Sequence, residues 1–112
     1  MAFAEYIKAP ETEGKEKHVP DIALSDSDIG TVVTIQVGKA VLHPTTKDHH
    51  IEWAQLFGET QDGKFVQIAV LNFGKGTAFP NGSVVIKKED YKSLTAVSYC
   101  NLHGVWENSV TL

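Results

Sequence analysis

Apolar residues in this chain recur with a period of two from Ile29 onward, and no helical period extends over ten residues or more. The alternating runs are TVVTIQV, HIEWAQLF, KFVQIAVLNF, SVVIKK, LTAVSYC and VWENSVTL. Breaks that contain glycine separate most of the runs, and Asp62-Gly63 is a hairpin signal between the second run and the third. Short strands at this spacing predict an all-β chain, with about seven strands in an antiparallel β-sandwich.

The alternation within each run predicts which side chains face the core. In the first run, Val33, Ile35 and Val37 fall on one side of the strand. In the second run, the same rule places three apolar residues on one face: Ile51, Trp53 and Phe57. We also expect both tryptophans of the chain, Trp53 and Trp106, to be core aromatics.

The length of the chain, 112 residues, is that of one ordinary domain, which buries roughly two-thirds of the surface exposed by its unfolded chain. We find no internal repeat, low-complexity tract or second unit in the sequence. We therefore predict one domain over residues 1–112. The first twenty or so residues are polar and irregular, and we expect them to form an arm across the sandwich.

The amino-acid composition restricts the classes of binding partner and the cellular compartment that we expect for this protein. The formal net charge of −4, with ten lysines spread along the chain, argues against nucleic acid as a partner. A single cysteine excludes an internal disulfide and suits a reducing compartment. Charges interrupt the N-terminal segment, and no apolar run approaches the roughly 20 residues that a membrane helix needs, so we expect a cytoplasmic protein without a membrane partner.

Five histidines lie in loops or at the predicted ends of strands: His18, His43, His49, His50 and His103. A single histidine in a half-buried loop is more often a hydrogen-bonded structural residue than a metal ligand. His43 and His49 would be about 20 Å apart on a straight strand, too far to share an ion. However, Pro44 and the polar TTKD stretch allow the chain to turn, so that the two imidazoles converge. His50 would then point the opposite way, and we interpret it as a structural residue or one that supports a ligand.

The only cysteine precedes a histidine by three residues, in CNLHG. This C-x-x-H spacing, on a tight turn, places the sulfur of Cys100 and the imidazole of His103 on one centre, and Gly104 relieves the backbone after the turn. The alternative interpretation of Cys100 is a buried and inert thiol.

Three motifs occur in order between residues 16 and 107: EKHVP, then HP and HHIEW with four residues between them, and then CNLHG. Together they resemble the signature of the superoxide reductase family, which includes neelaredoxin and desulfoferrodoxin. The resemblance covers most of the chain and implies an immunoglobulin-like sandwich, in agreement with the strand pattern. Thr45 stands where many relatives have methionine, at a position that does not bind the metal.

The resemblance implies one iron per chain, with four equatorial histidines, one axial cysteine and an open sixth position. The implied ligands are His18, His43, His49 and His103 in the equatorial plane and Cys100 on the axis. Glu16 corresponds to the glutamate that can occupy the sixth position after oxidation, and Lys17 to the lysine that stands near the open position. The alternative for Glu16 and Lys17 is a solvated surface role.

The activity implied by the resemblance is the one-electron reduction of superoxide to hydrogen peroxide. No cysteine precedes Cys100, so the resemblance is to the one-iron form, which depends on an external electron donor such as rubredoxin. Relatives of this length often assemble as homotetramers, and we therefore expect a homo-oligomer.

Two other functions are compatible with a β-sandwich. A blue-copper electron carrier also uses histidine and cysteine ligands, but it would leave two of the four motif histidines without a role. It also needs an axial methionine after the cysteine, whereas the sole methionine is Met1. A non-enzymatic immunoglobulin-like binding module would explain the fold, but not the clustered ligand types.

Overall fold

The structure, a computed structural model, describes residues 2–10 and 17–112. Seven strands make up most of these residues, and short 3₁₀ helices lie at Phe3–Tyr6 and Lys88–Asp90. The strands are β1 (Pro20–Ser27), β2 (Gly30–Val37), β3 (Ile51–Thr60), β4 (Phe65–Asn72), β5 (Asn81–Ile86), β6 (Tyr91–Cys100) and β7 (Gly104–Thr111). Within the described part of the chain, no helix has both the length and the apolar character needed to cross a membrane.

The strands form two sheets in which every pairing is antiparallel. One sheet has the order β1-β2-β5, and the other has the order β4-β3-β6-β7. The predicted seven-stranded antiparallel sandwich is therefore confirmed.

The core lies between the two sheets and consists mainly of aliphatic side chains. Val33, Ile35 and Val37 are almost completely buried, as their alternation predicted. Each fully buried side chain of this size contributes about 1.5–3 kcal/mol relative to exposure in water. The buried cluster comprises Ile22, Val33, Ile35, Val37, Ile51, Ala54, Leu56, Phe73, Ile86, Leu94, Ala96 and Cys100.

The prediction for the inward face of β3 was wrong beyond its first residue. Ile51 is buried, but the next inward residues are Ala54 and Leu56, because the register with β6 shifts between Ile51 and Trp53. Such a bulge adds one residue to the strand and exchanges its two faces. Trp53 therefore lies on the outer face of the sheet and stacks on Tyr99, with ring centroids 5.8 Å apart, and is not a core aromatic.

The first strand was not predicted from the sequence. β1 pairs along its whole length with β2, yet only Pro20 and Ile22 among its eight residues are buried. Its later residues are exposed, and the last three, Ser25, Asp26 and Ser27, are polar, so their pattern resembles a loop. Ahead of it, residues 2–10 form an irregular arm, as predicted, and Lys8 joins this arm to Trp106 of β7 through an isolated parallel bridge.

The register brings the ends of several strands to one end of the sandwich. In the smaller sheet, the start of β1 pairs with the end of β2, since Pro20 lies opposite Val37. In the larger sheet, Cys100 at the end of β6 lies opposite both Ile51, at the start of β3, and Gly104, at the start of β7. Hydrogen bonds from Gly38 N to Val19 O (3.0 Å) and from Ser98 Oγ to His18 O (3.5 Å) hold the connecting segments at this end.

Candidate metal centre

The segments next to these strand ends carry all five histidines and the cysteine. His18 comes two residues before β1, and Cys100 is the last residue of β6. His103 lies in the tight turn between β6 and β7, whereas His43 and His49 lie in the connection from β2 to β3. The antiparallel topology therefore places residues that are far apart in the sequence at one end of the molecule.

The connection after β2 folds back sharply at Gly38. This glycine has φ of +94°, and a Cβ atom there would collide with the carbonyl oxygen of Val41 and would lie 2.8 Å from the backbone nitrogen of His43. The return of the chain is closed by a hydrogen bond from His43 N to Val37 O of 3.0 Å. Only glycine accommodates both the backbone angle and the close approach, and the result is that His43 comes back to the end of β2.

A second tight turn in the same connection positions His49. The backbone nitrogen of Thr46 donates to His49 O (2.9 Å), and the backbone nitrogen of His49 donates to Thr46 Oγ1 (3.0 Å). The chain therefore turns between His43 and His49, as the Pro44 and TTKD segment predicted. The ring centroids of the two histidines lie 4.5 Å apart, so the imidazoles converge.

Asn101 joins this connection to the β6–β7 turn. Its side-chain oxygen accepts a hydrogen bond from His50 N (2.9 Å), and its side-chain nitrogen donates to Asp48 O (3.0 Å). Its backbone nitrogen also donates to His50 O, at 3.2 Å. Asn101 thus ties the neighbours of His49 to the turn that carries Cys100 and His103, and we did not identify it from the sequence as part of the site.

Four side chains each place one donor atom within 4.8 Å of all the others: His18, His49, Cys100 and His103. The Nε2 atom of His18 and the Nδ1 atom of His103 lie 3.0 Å apart. The sulfur of Cys100 lies 3.6 Å from the same Nδ1 atom. Since metal–nitrogen bonds are about 2.0–2.1 Å long, two donors on opposite sides of one ion are separated by roughly 4 Å, and the four side chains match that scale.

His43 lies beside this group. Its Nε2 atom is 3.5 Å from the sulfur of Cys100, and its Nδ1 atom is 2.8 Å from the carbonyl oxygen of Pro44. Because a carbonyl oxygen only accepts hydrogen bonds, Nδ1 carries the proton and donates. In the neutral imidazole Nε2 is therefore unprotonated and lies beside the sulfur, so its lone pair is available to a metal ion.

The environment also keeps His43 and His49 neutral. Burial lowers the pKa of His43 from its usual 6.5 to about 4, with further lowering by His18, His49 and Lys17 and partial compensation by the hydrogen bond to Pro44. The pKa of His49 is likewise lowered, first by burial and then by His103 and Lys17. Neutral imidazoles are the form that binds a metal ion.

One buried atom in the cluster has no partner among the residues that the structure describes. The Nε2 atom of His49 is shielded from solvent and makes no hydrogen bond within the described residues. A buried nitrogen without a partner costs free energy, and a bound metal ion would satisfy it. Four imidazoles and one thiol are donors that suit iron, copper or zinc, so the residues present fit the metal that the sequence resemblance implies.

His50 and Trp106 lie beside the cluster, but neither is one of its donor residues. The Nδ1 atom of His50 donates to Thr46 O at 3.0 Å and its Nε2 atom lies 3.4 Å from Glu52, which agrees with the structural role that we expected for His50. Trp106 is buried, as predicted, and stacks on His18 with ring centroids 5.1 Å apart and planes inclined by 13°.

Of the two predicted catalytic residues, one lies within the described part of the chain. Lys17 is half-buried, and its positive charge acts on both His43 and His49. Glu16 lies outside the described residues. His103 is exposed, so the cluster opens to solvent on the side of the β6–β7 turn.

Comparison with known proteins extends the likeness over the whole chain. Residues 10–109 match the family model described as Desulfoferrodoxin. The superoxide reductase of Thermococcus kodakarensis is 37% identical over 114 residues, which covers 98% of each protein.

Solved structures agree with these sequence matches. The superoxide reductase (1Fe-SOR) from Giardia intestinalis has a TM-score of 0.78 at 39% identity, over 88% of this chain and 100% of that one. The reduced superoxide reductase (neelaredoxin) from Archaeoglobus fulgidus has a TM-score of 0.82 at 32% identity, over 96% and 98% of the two chains. The immunoglobulin-like sandwich implied by the sequence motifs is therefore confirmed.

Proposed function

Because the chain belongs to the desulfoferrodoxin family, we propose that it is a superoxide reductase, which adds one electron and two protons to superoxide and forms hydrogen peroxide. The observation that carries the proposal is the convergence of His18, His49, Cys100 and His103, whose donor atoms lie within 4.8 Å of one another. Superoxide reductases with similar sequences and the same fold support it.

The ligands that we propose are the four clustered residues together with His43. The position of its Nε2 atom beside the sulfur of Cys100 supports the addition of His43 to the set. We propose one iron per chain, since the donor set suits iron and the Giardia relative bears the name 1Fe-SOR. Bound iron would alternate between the ferrous and ferric states and pass the electron to superoxide.

The charge of the ligand set favours an anionic substrate. Four neutral imidazoles and one thiolate carry a total charge of −1, so a divalent ion held by them retains a positive charge. Lys17 adds a second positive charge at the site, because its field reaches His43 and His49. In this proposal Lys17 attracts superoxide and donates a hydrogen bond to it as it gains negative charge.

Glu16 and the external partners complete the proposal. Glu16 directly precedes Lys17 in the sequence. Its carboxylate would compensate the extra positive charge after oxidation by occupying the sixth position, and would thus act as a gate to that position.

The electron would come from a small redox protein such as rubredoxin, which can approach the exposed side of the site at His103. We also propose a cytoplasmic location, which suits a chain whose one cysteine forms no internal disulfide.

A homotetramer is the assembly that we propose. The outer face of the larger sheet carries apolar side chains that are partly or largely exposed, which suits contact with other copies of the chain. They include Trp53, Phe57, Phe65 and Val70. Light scattering coupled to size-exclusion chromatography should give four times the 12.3 kDa mass of one chain, whereas the mass of a single chain would contradict this part of the proposal.

The alternatives raised by the sequence explain less. A blue-copper carrier would use only part of the histidine cluster. A binding module would not explain why the buried Nε2 atom of His49 has no partner among the described residues. Neither is the function of the relatives that share this fold.

The proposal is tested by metal content and by the products formed from superoxide. We expect about one iron per chain and rapid loss of superoxide in pulse radiolysis. In a single turnover of reduced protein, hydrogen peroxide should form without release of oxygen. His49→Gln should lose iron and activity together. His50→Gln is the matched control, because the neighbouring histidine lies outside the cluster and the variant should keep its iron. Protein with no iron, or protein with iron that releases one oxygen for every two superoxide ions, would contradict the proposal.

A further inference from the structure

The N-terminal arm is attached to the strand that follows the metal-binding turn. Lys8 forms the isolated parallel bridge with Trp106, with its backbone nitrogen donating to Val105 O (2.9 Å) and its carbonyl accepting from Glu107 N (2.8 Å). These bonds involve only backbone atoms. They fix the position of residue 8 whatever its side chain, and they bring that side chain beside the β6–β7 turn.

The Lys8 side chain reaches the backbone of His103. Its ammonium nitrogen donates a hydrogen bond to His103 O at 3.0 Å. The indole nitrogen of Trp106 donates to the same oxygen at 3.2 Å. The carbonyl of His103 therefore accepts two hydrogen bonds, one of them from a charged donor, although the imidazole of this residue is exposed.

Trp106 connects the same lysine to a second histidine of the cluster. The ammonium nitrogen of Lys8 lies 5.2 Å from the centroid of the Trp106 ring, within the range of a cation–π contact. The indole in turn stacks on His18, with ring centroids 5.1 Å apart. Lys8 thus contacts His103 directly and His18 through one intervening ring.

We propose that Lys8 is a positioning residue of the metal centre, which holds His103 and, through Trp106, His18 in the orientation that binds the metal, and which adds a positive charge beside the site. The proposal rests on the proposed metal site. It assigns a role in the site to the N-terminal arm, 95 residues away from His103 along the chain. Removal of the ammonium group should loosen His103 and also favour the more positively charged, oxidised form of the metal.

The test compares Lys8→Met with Lys8→Arg and with Lys64→Met, all in protein purified with its native metal. Lys8→Met removes the charge and the hydrogen bond but leaves the backbone bridge, whereas Lys8→Arg keeps a charged donor. Lys64 is an exposed lysine in the turn between β3 and β4, so its replacement controls for the loss of one charge. The measurements are the rate of metal release to excess EDTA, the midpoint reduction potential at low and high salt, and thermal unfolding of both the metal-bound and the metal-free protein.

We expect Lys8→Met to release metal about three- to tenfold faster than the wild type and to have a lower reduction potential. The difference in potential should shrink at high salt, because Lys8 is exposed. Lys8→Arg should stay within about twofold of the wild type, and Lys64→Met should match it. Thermal unfolding of the metal-free protein should differ by only a few degrees among the four proteins, since the backbone bridge is kept and the lost contacts of the Lys8 side chain are exposed.

Each contrary result has a distinct meaning. If Lys8→Met matches the wild type in metal release and potential, Lys8 has no positioning role, although the metal site itself stands. If Lys8→Arg releases metal as fast as Lys8→Met, the charged donor is not what holds the turn. If Lys8→Met lowers the unfolding temperature relative to the wild type by the same amount with and without metal, the role of Lys8 is structural and the inference is overturned. A wild-type protein that binds no metal overturns both the inference and the proposed site.

Discussion

Replacement of His43 by asparagine should make the metal-free protein less sensitive to acid. His43 is 1% exposed, and its pKa is lowered from 6.5 to about 4, chiefly by burial. Asparagine is a suitable replacement because its side-chain amide nitrogen occupies nearly the position of the His43 Nδ1 atom. It can therefore still donate a hydrogen bond to the carbonyl of Pro44. The variant therefore removes the titrating group while it keeps that local hydrogen bond.

The size of the effect follows from proton linkage. Between the two pKa values the unfolded chain binds a proton at residue 43 that the folded protein does not bind, so the free energy of unfolding falls as the pH is lowered. The contribution is complete above pH 6.5 and is lost as the pH falls to about 4. The difference of about 2.5 pKa units corresponds to roughly 3 kcal/mol in total, of which about 2 kcal/mol is lost between pH 8 and pH 5.

The assay is urea unfolding of both proteins in EDTA at several values between pH 8 and pH 5. The absolute stability of the variant is not the readout, because the smaller side chain leaves a cavity of its own. The readout is the loss of unfolding free energy on acidification, which should be about 2 kcal/mol smaller in the variant than in the wild type. Groups that do not interact with His43 titrate in both proteins and cancel in the comparison, whereas the interaction between His43 and His49 makes a smaller contribution than burial. Equal pH dependence in the two proteins would show that His43 is not a buried neutral histidine.

Four further substitutions test other parts of the site. Cys100→Ser should abolish the thiolate-to-iron absorption band and the reaction with superoxide together, and a variant that keeps both would exclude Cys100 as a ligand. Asn101→Ala should lower the free energy of unfolding by about 1–3 kcal/mol, measured with urea, because the backbone groups of Asp48 and His50 lose partners; no change would show that these bonds are dispensable. Gly38→Ala should destabilise the protein by clearly more than the roughly 1 kcal/mol expected for Gly104→Ala. Both glycines have positive φ, but of the two only Gly38 lacks space for a Cβ atom. Equal thermal midpoints of the two variants would contradict this prediction. Lys17→Ala should slow the bimolecular reaction with superoxide in pulse radiolysis and weaken its salt dependence, and an unchanged rate at low salt would assign Lys17 to the solvated surface.

The positions that converge at the site could be predicted from sequence because their motifs lie at the ends of strands. The break at Pro44 and the C-x-x-H spacing before Gly104 both predict a turn of the chain, and turns bring side chains together without knowledge of the rest of the fold. The turns do occur, with His43 close to His49 and Cys100 close to His103. The approach of His18 depended on the family resemblance, because no local rule connects residue 18 with residue 103.

Other features depended on tertiary structure and could not be derived from local pattern. The bulge after Ile51 reverses the faces of β3, and the HIEW sequence has no glycine or proline to indicate it. β1 was missed because its outer half is exposed and polar, and it is a strand only because β2 lies beside it. Lys8 and Asn101 were missed for a related reason, since both act on backbone atoms of residues distant in sequence.

The histidine cluster has a cost for folding that the metal site explains. His43 and His49 lie close together where burial and neighbouring positive charge both lower their pKa values, so the metal-free protein is less stable in acid than a protein with apolar residues at these positions. The Nε2 atom of His49 adds the cost of a buried nitrogen that has no partner within the described residues. A cluster of apolar side chains would avoid both costs, as it does throughout the rest of the core. The same features keep the imidazoles neutral and their lone pairs free, which is what metal binding requires, so we infer that the fold holds these residues ready before the metal arrives.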